Sequence, residues 1–384
     1  MFHTSYIELS ESALQNNLKF IKHLLGDVPF SAVVKGNAYG HGIQHFIPLL
    51  YKNGVRHFSV FNTYEALEVY KHLPKDSDCT IMNMGMISPA EVEWALEKGV
   101  ELFVFDLERL NDMLEASKKT GKKALIHIEL ETGMNRTGFT QKELSKALSI
   151  VKDNLDHFDV KGVCTHFAGA ESVTNYKRVK DQHKKFKQYI KKIKTIEWMA
   201  PKFHMSSSAA SIVYPSMRLD MVRVGILNYG FFPTQEVLVQ YFNNKKVMQQ
   251  PLERVITWKS TIMDVKDVAP GKFIGYGTSF FTNVPTRIAH VPVGYANGYS
   301  RELRNRGKVL IRGKRFDVIG TVNMSMMAID ISEEPDIKRG EEVVLIGNQG
   351  DLEITVSSFS NAINLVNYEM LTRLPNDIPR IITA

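Results

Sequence analysis

Phe30-Ser31-Ala32-Val33-Val34-Lys35-Gly36-Asn37-Ala38-Tyr39-Gly40-His41-Gly42 is the stretch on which the fold turns. Its first half is a short apolar run, and its second half is punctuated by Gly and Asn. That is the pattern of a buried strand running into a loop. Lys35 closes the strand. Such an ammonium can snorkel to solvent along its aliphatic stem. Alternatively, apolar surroundings lower its pKa and expose a nucleophilic amine. The rest of the chain decides between the two.

Working outward, seven further runs repeat the strand pattern: His57–Phe61, Thr80–Met84, Glu101–Asp106, Ala124–Glu129, Val160–His166, Lys202–Ser206 and Met221–Leu227. Helical periodicity lies between many of them, at Tyr64–Leu73, Pro89–Lys98, Leu107–Lys119 and Gln141–Val151. Ser88 before Pro89 reads as an N-cap with Pro at the first helical position. Strand–helix alternation predicts a parallel sheet covered on both faces. With Phe30–Lys35, the eight units fit an α/β fold of the (β/α)8 barrel type. A doubly wound open sheet is the structural alternative.

Past Tyr241 the texture changes to short β-rich runs: Val255–Val265, Ile288–Val293, Lys308–Ile311, Lys314–Val318, Met326–Ile331 and Glu342–Ile346. Turn signals such as Pro270-Gly271 and Arg312-Gly313 separate them. This predicts a C-terminal, mostly antiparallel β domain, with one short helix at Ser357–Asn364. The expected division is a barrel over residues 1–245 and a β domain over 246–384, with the first residues free to join the latter. The stretch Asn243–Pro251 is the expected crossover.

Composition narrows the classes. Lys and Arg number 48 against 41 Asp and Glu, a net charge of +7. Much of the excess sits in helical runs such as Lys184-Lys185-Phe186-Lys187, which read as a solvated face because no nucleic-acid motif accompanies them. Cys79 and Cys164 lie in apolar segments without metal-ligand spacing, so neither a disulfide framework nor a metal centre is expected. No run has the length of a membrane span or the form of a secretory leader. The expectation is a cytoplasmic protein with no nucleic-acid or membrane partner.

In a parallel barrel the working residues sit at the carboxyl ends of the strands. Here those ends carry Lys35, Thr132-Gly133-Met134-Asn135-Arg136, Thr165-His166, Ser206-Ser207-Ser208, and Arg223 before Gly225-Ile226. The loops after strands seven and eight often hold a phosphate. Ser208 offers a hydroxyl there, and Gly225 permits close backbone approach or simply makes a tight turn. A lysine amine with a phosphate cradle points to pyridoxal phosphate.

These segments, in order, closely resemble the alanine racemase family. The resemblance lies in Ala32–Gly42, Glu131–Gly138, Thr165-His166-Phe167-Ala168 and Met221–Ile226. It continues in Gly275-Tyr276-Gly277, Gly294-Tyr295-Ala296-Asn297-Gly298-Tyr299 and Tyr368-Glu369. The resemblance implies a homodimer with shared active sites, pyridoxal phosphate as cofactor and an amino acid as substrate. Lys35 would carry the cofactor, and Tyr276 of the partner subunit would be the second base. Tyr39, Ser208, Gly225, Ile226 and Tyr368 would surround the phosphate. His166 and Arg223 would lie under the ring, with His204 behind Arg223. Arg136, Met324 and Tyr295 would meet the substrate. The family's usual product is D-alanine for the bacterial cell wall.

The chain departs from the family pattern in places. Glu129 stands where many relatives carry a carbamylated lysine, and a bidentate pair with Arg136 is expected of it. Ser325, Asn297 and Ser207 replace two carboxylates and an amide, which opens a broader amino acid racemase as an alternative. A barrel-type decarboxylase or aldolase, and a non-catalytic pyridoxal phosphate carrier, are the remaining readings. Tyr276 with Arg223 argues against the decarboxylase, the want of a late His/Cys or His/Asp cluster against a metal-dependent aldolase, and the β domain against the carrier.

Overall fold

A computed structural model describes residues 3–243, 249–363 and 367–384. The chain divides into two units. One holds Ala13–Ala38 and Phe46–Glu253; the other holds Met1–Ser12, Tyr39–His45 and Arg254–Ala384.

Strand β1 (Ser5–Ser10) belongs to the second unit. The first unit is built on β2 (Phe30–Val33), β3 (His57–Asn62), β4 (Thr80–Met86), β5 (Glu101–Val104), β6 (Ala124–Glu129), β7 (Phe158–Cys164), β8 (Lys202–His204) and β9 (Val222–Val224). All pair in parallel in the order β8-β7-β6-β5-β4-β3-β2-β9. Ser207 and Arg223 make an isolated parallel bridge between the two ends of this order, so the barrel is nearly closed. All of β5 is buried, as expected where side chains of a parallel strand meet packing on both faces.

The helices form where capping chemistry and periodicity agree. Ser88 and Glu91 close a capping box on Pro89–Glu97, and Thr140 and Glu143 do so on Gln141–Asp153. Asp106 caps Leu107–Thr120, which Gly121 terminates in the left-handed region. Asp106 had been expected at the end of the fourth strand of the barrel; it serves the following helix instead.

The second unit adds β10 (Ile256–Thr261), β11 (Asp264–Val268), β12 (Thr286–Val291), β13 (Lys308–Ile311), β14 (Lys314–Ile319), β15 (Met327–Asp330), β16 (Glu342–Gln349), β17 (Leu352–Ile354) and β18 (Arg380–Thr383). Its sheet runs β11-β12-β15-β14-β13-β16-β10-β1-β18, with β17 paired to β16. Every pairing is antiparallel except β1 with β18. The expected strand Val255–Val265 is two strands. At Ile262 and Met263 the chain turns from Glu341 to His290 for its backbone partners. The expected helix near residue 357 spans Val356–Ile363; Asn364, and residues 244–248 of the expected crossover, lie outside the described residues.

Residues Tyr39–His45 are fastened within the second unit. Arg380 Nη2 donates to the Gly40 carbonyl at 2.9 Å. Gly40 has φ +79°, and a Cβ there would overlap the Leu371 carbonyl oxygen. Backbone conformation and space both demand glycine. Gly40→Ala is expected to destabilise the protein by at least about 2 kcal/mol in denaturant unfolding; a loss under about 0.5 kcal/mol would contradict this packing.

Candidate active site

Lys35 follows β2 by one residue and opens a turn with unusual backbone. Gly36, Asn37, Ala38 and Tyr39 all have φ between +50° and +62°. The Ala38 amide donates to the Val34 carbonyl at 2.8 Å, closing one left-handed helical turn. Left-handed backbone costs about 1–2 kcal/mol per residue with a side chain, and Asn tolerates it best. Such strain persists only where the surroundings over-determine it. Glu65 supplies part of that constraint: its carboxylate accepts from Gly36 N–H at 2.6 Å and from Phe61 N–H at 2.9 Å.

Lys35 is open to solvent at the barrel mouth, with its ammonium 5.6 Å from the centre of the Phe61 ring. Its pKa is lowered, first by partial burial of the ammonium, then by the positive charges of Arg136 and Arg223; Glu65 pulls the other way. Three cations thus converge on one end of the barrel.

Arg223 on β9 is only 5% exposed. Its Nη1 donates to His204 Nδ1 at 2.5 Å, and its Nη2 donates to the Thr165 carbonyl at 2.8 Å. Nη2 also donates to His166 Nδ1 at 3.2 Å. A guanidinium only donates, so both histidines must accept through Nδ1 and are neutral. Their pKa values agree. Burial, then Arg223, holds His166 and His204 well below the ordinary histidine range. Burial also lowers Arg223 itself, without bringing a guanidinium near deprotonation at neutral pH.

The Gly225 amide donates to Ser208 Oγ at 2.9 Å, and Ile226 follows, buried. Ser207 stands at the N-cap position of the short helix Ser208–Val213, with no side-chain hydrogen bond to it. In the second unit the rings of Tyr39 and Tyr368 meet edge to face, 6.4 Å between centres.

Glu129 is buried on β6 and differs from expectation. Among the described residues no ion pair joins it to Arg136. Thr137 hydrogen-bonds its carboxylate instead, and Arg223 and Arg136 act at longer range. Burial prevails over all three and raises its pKa. Arg136 is exposed because its turn, in which Asn135 has φ +57°, carries it outward.

In the second unit Tyr276 is 75% exposed, Met324 59% and Tyr295 44%. Gly294 draws the latter two together. A Cβ there would overlap the Asn323 and Met324 carbonyls, which accept from the Tyr295 and Ala296 amides at 3.0 and 2.9 Å. Asn297 Oδ1 accepts from Gly294 N–H at 3.0 Å, so this amide serves the turn.

Sequence reasoning placed His204 but missed His127 and Glu101, which lie beyond it inside the barrel. His204 Nε2 meets His127 Nδ1 at 2.9 Å, and His127 Nε2 meets Glu101 Oε2 at 2.8 Å. The available signal was His127 itself, a polar residue between Ile126 and Ile128 in a buried strand.

A lysine of lowered pKa at the mouth of a parallel barrel, with Arg136, Arg223 and a neutral histidine around it, is an arrangement suited to binding a carbonyl compound. Residues 9–233 match the alanine racemase N-terminal domain and 255–382 the C-terminal domain; the chain belongs to the alanine racemase family. It is 33% identical to the alanine racemase of Methanococcus maripaludis, over 99% of this chain and 98% of that one. It is 34% identical to that of Halothermothrix orenii, over 98% and 96%. Alanine racemase from Clostridium difficile 630 superposes with TM-score 0.89 at 32% identity, covering 100% of this chain and 96% of that one. The Bartonella henselae enzyme, at 26% identity and TM-score 0.82, covering 99% and 100%, carries covalently bound pyridoxal phosphate. Full-length relatives and structures therefore support an alanine racemase function, an isomerase activity.

The histidines set a pH dependence of stability. His127, His166 and His204 are all held neutral, chiefly by burial. Unfolding frees each to take a proton below pH ~6.5. Stability is thus lost as pH falls through that value, by up to about 1.4 kcal/mol per pH unit for each histidine. Urea midpoints are expected to drop between pH 7 and 5.5; a flat profile over that range would refute the neutral assignment.

Proposed function

We propose that this chain is a pyridoxal phosphate-dependent racemase that interconverts L- and D-alanine, working as a homodimer with Lys35 and the partner's Tyr276 as the two bases. The observation that carries this reading is the lowered pKa of Lys35 beside Arg136 and Arg223. When bound, the cofactor acidifies the α-proton of an attached amino acid by drawing off its electrons.

The residues present fit such a group. An anionic, phosphorylated aromatic aldehyde answers the excess of cations around Lys35. Ser208, Gly225, Ile226, Tyr39 and Tyr368 would hold its phosphate. Arg223 would hold its pyridine nitrogen. Because arginine keeps its proton, that nitrogen would stay unprotonated, which limits side reactions and suits simple proton exchange. Arg136 would hold the substrate carboxylate, with Met324 and Tyr295 as neighbouring walls.

Lys35, with its lowered pKa, takes or returns the α-proton on one face. The partner's Tyr276 serves the other, assisted by His166. Its 75% exposure in the single chain leaves it available to a partner. Phe273 and Phe281, 52% and 46% exposed and 5.0 Å apart, lie in the same unit and support an apolar dimer surface.

Racemisation has an equilibrium constant of one, so the two directions share kcat/KM ratios and the bases must be separated by isotope exchange. Lys35→Ala is expected to lower racemisation by about 10³-fold or more. Tyr276→Phe is expected to lower it by about 10²-fold or more while one enantiomer still exchanges its α-proton in deuterium oxide. Equal exchange of both enantiomers by Tyr276→Phe would refute the assignment. Serine or lysine exchanging as fast as alanine would move the reading to the broader racemase.

A further inference from the structure

The interior of the barrel holds a continuous polar chain that reaches far below Arg223. From the guanidinium it passes to His204 at 2.5 Å, then His127 at 2.9 Å, then Glu101 at 2.8 Å. His57 Nε2 approaches the same Glu101 oxygen at 3.5 Å, and His57 Nδ1 meets Ser31 Oγ at 2.8 Å. Ser31 in turn bonds Ser59. His204 ends β8, whereas Glu101 and His57 begin β5 and β3. The chain therefore descends from the carboxyl ends of the strands to their amino ends.

Its direction is fixed from both sides. Arg223 can only donate, which leaves His204 with its proton on Nε2, pointing at His127. A carboxylate can only accept, which leaves His127 with its proton on Nε2 and its Nδ1 open to His204. The two requirements meet without conflict. Every N–H dipole between the cation and the anion is aligned, an arrangement in which hydrogen bonds strengthen one another.

The packing is built to accommodate it. A Cβ on Gly162 would overlap His127 Nδ1 and would stand 3.0 Å from His204 Nε2, so glycine leaves the space the two rings occupy. The Phe103 ring lies against His127, 5.7 Å between centres, and screens it from water. Among the described residues, no ion pair within 4.0 Å involves Arg223. A buried guanidinium with no adjacent carboxylate is costly. Glu101 stays ionised: burial raises its pKa, but hydrogen bonds from His127 and His57 outweigh burial and carry it well below the usual carboxylate range.

We propose that Glu101 is a positioning residue which, through His127 and His204, orients the Arg223 guanidinium from the opposite end of the barrel. Its consequence for catalysis rests on the racemase reading above. Arg223 would bear on the cofactor nitrogen only as well as this chain holds it.

Glu101→Gln keeps the size and an acceptor oxygen while removing the charge. The test has two parts. In the cofactor-free protein labelled with 15N-histidine, wild type is expected to show His127 and His204 as neutral Nε2–H tautomers with strongly deshielded N–H protons. In Glu101→Gln the His127 proton moves upfield and the His204 signals follow. In the cofactor-loaded enzyme, Glu101→Gln lowers kcat for alanine about tenfold or more with KM nearly unchanged. His127→Gln, which breaks the chain one step nearer Arg223, lowers kcat at least as far. Unchanged histidine spectra, or an unchanged kcat in a folded Glu101→Gln enzyme, would overturn the proposal. A wild type that fails to racemise alanine would instead overturn the racemase reading, and the histidine spectra of the cofactor-free protein would still judge the tautomer chain.

Discussion

A guanidinium that cannot give up its proton, sealed inside a barrel, is the constraint the rest of this site obeys. Arg223 is nearly fully buried, and its donors end on two histidine nitrogens and on backbone carbonyls. Because it only donates, it dictates the protonation of both histidines. Because it stays charged, it lowers the pKa values of His166, His204 and Lys35 alike. One residue thus adds to what burial does to both histidines and helps lower the lysine amine.

The second constraint is geometric. The Lys35 amine must stand at the mouth of the barrel, yet β2 stops at Val33. The left-handed turn over Gly36–Tyr39 reverses the chain within a few residues, and Glu65 secures its start by accepting from Gly36. The same turn delivers Tyr39 to the second unit, where Tyr368 meets its ring. A relaxed loop would need more residues to do both and would leave the lysine less defined. Strain at this position is therefore paired with function, in keeping with where such backbone is usually found.

Much of this was legible in the chain. The apolar runs marked all eight barrel strands, and Ala124–Glu129 was bounded as the structure has it, its start set off by Gly121-Lys122-Lys123. Other bounds moved where apolar residues continue past the strand, as at Val224, after which Ile226–Tyr229 forms a 3-10 turn. β1 and β18 were not marked as strands; the two pair in parallel from opposite ends of the sequence. The meeting of Arg223 with His166 and His204 follows from their places at adjacent strand ends. Glu101 and His127 were not legible as a pair. They lie on adjacent strands, with Phe103 opposite His127, and nothing in a linear pattern reports the register that brings them together. The Glu129–Arg136 pair failed for a related reason: a carboxylate fixed on a strand and a guanidinium carried outward by a turn do not converge simply because they are near in sequence.

On the racemase reading, pyridoxal phosphate attaches to the Lys35 amine, lowered in pKa among cations. Borohydride reduction of the cofactor-loaded protein, followed by peptide mass mapping, tests it directly. One pyridoxyl phosphate per chain is expected, on the peptide containing Lys35. Label on a different lysine, or a loaded protein that takes up none, would contradict it.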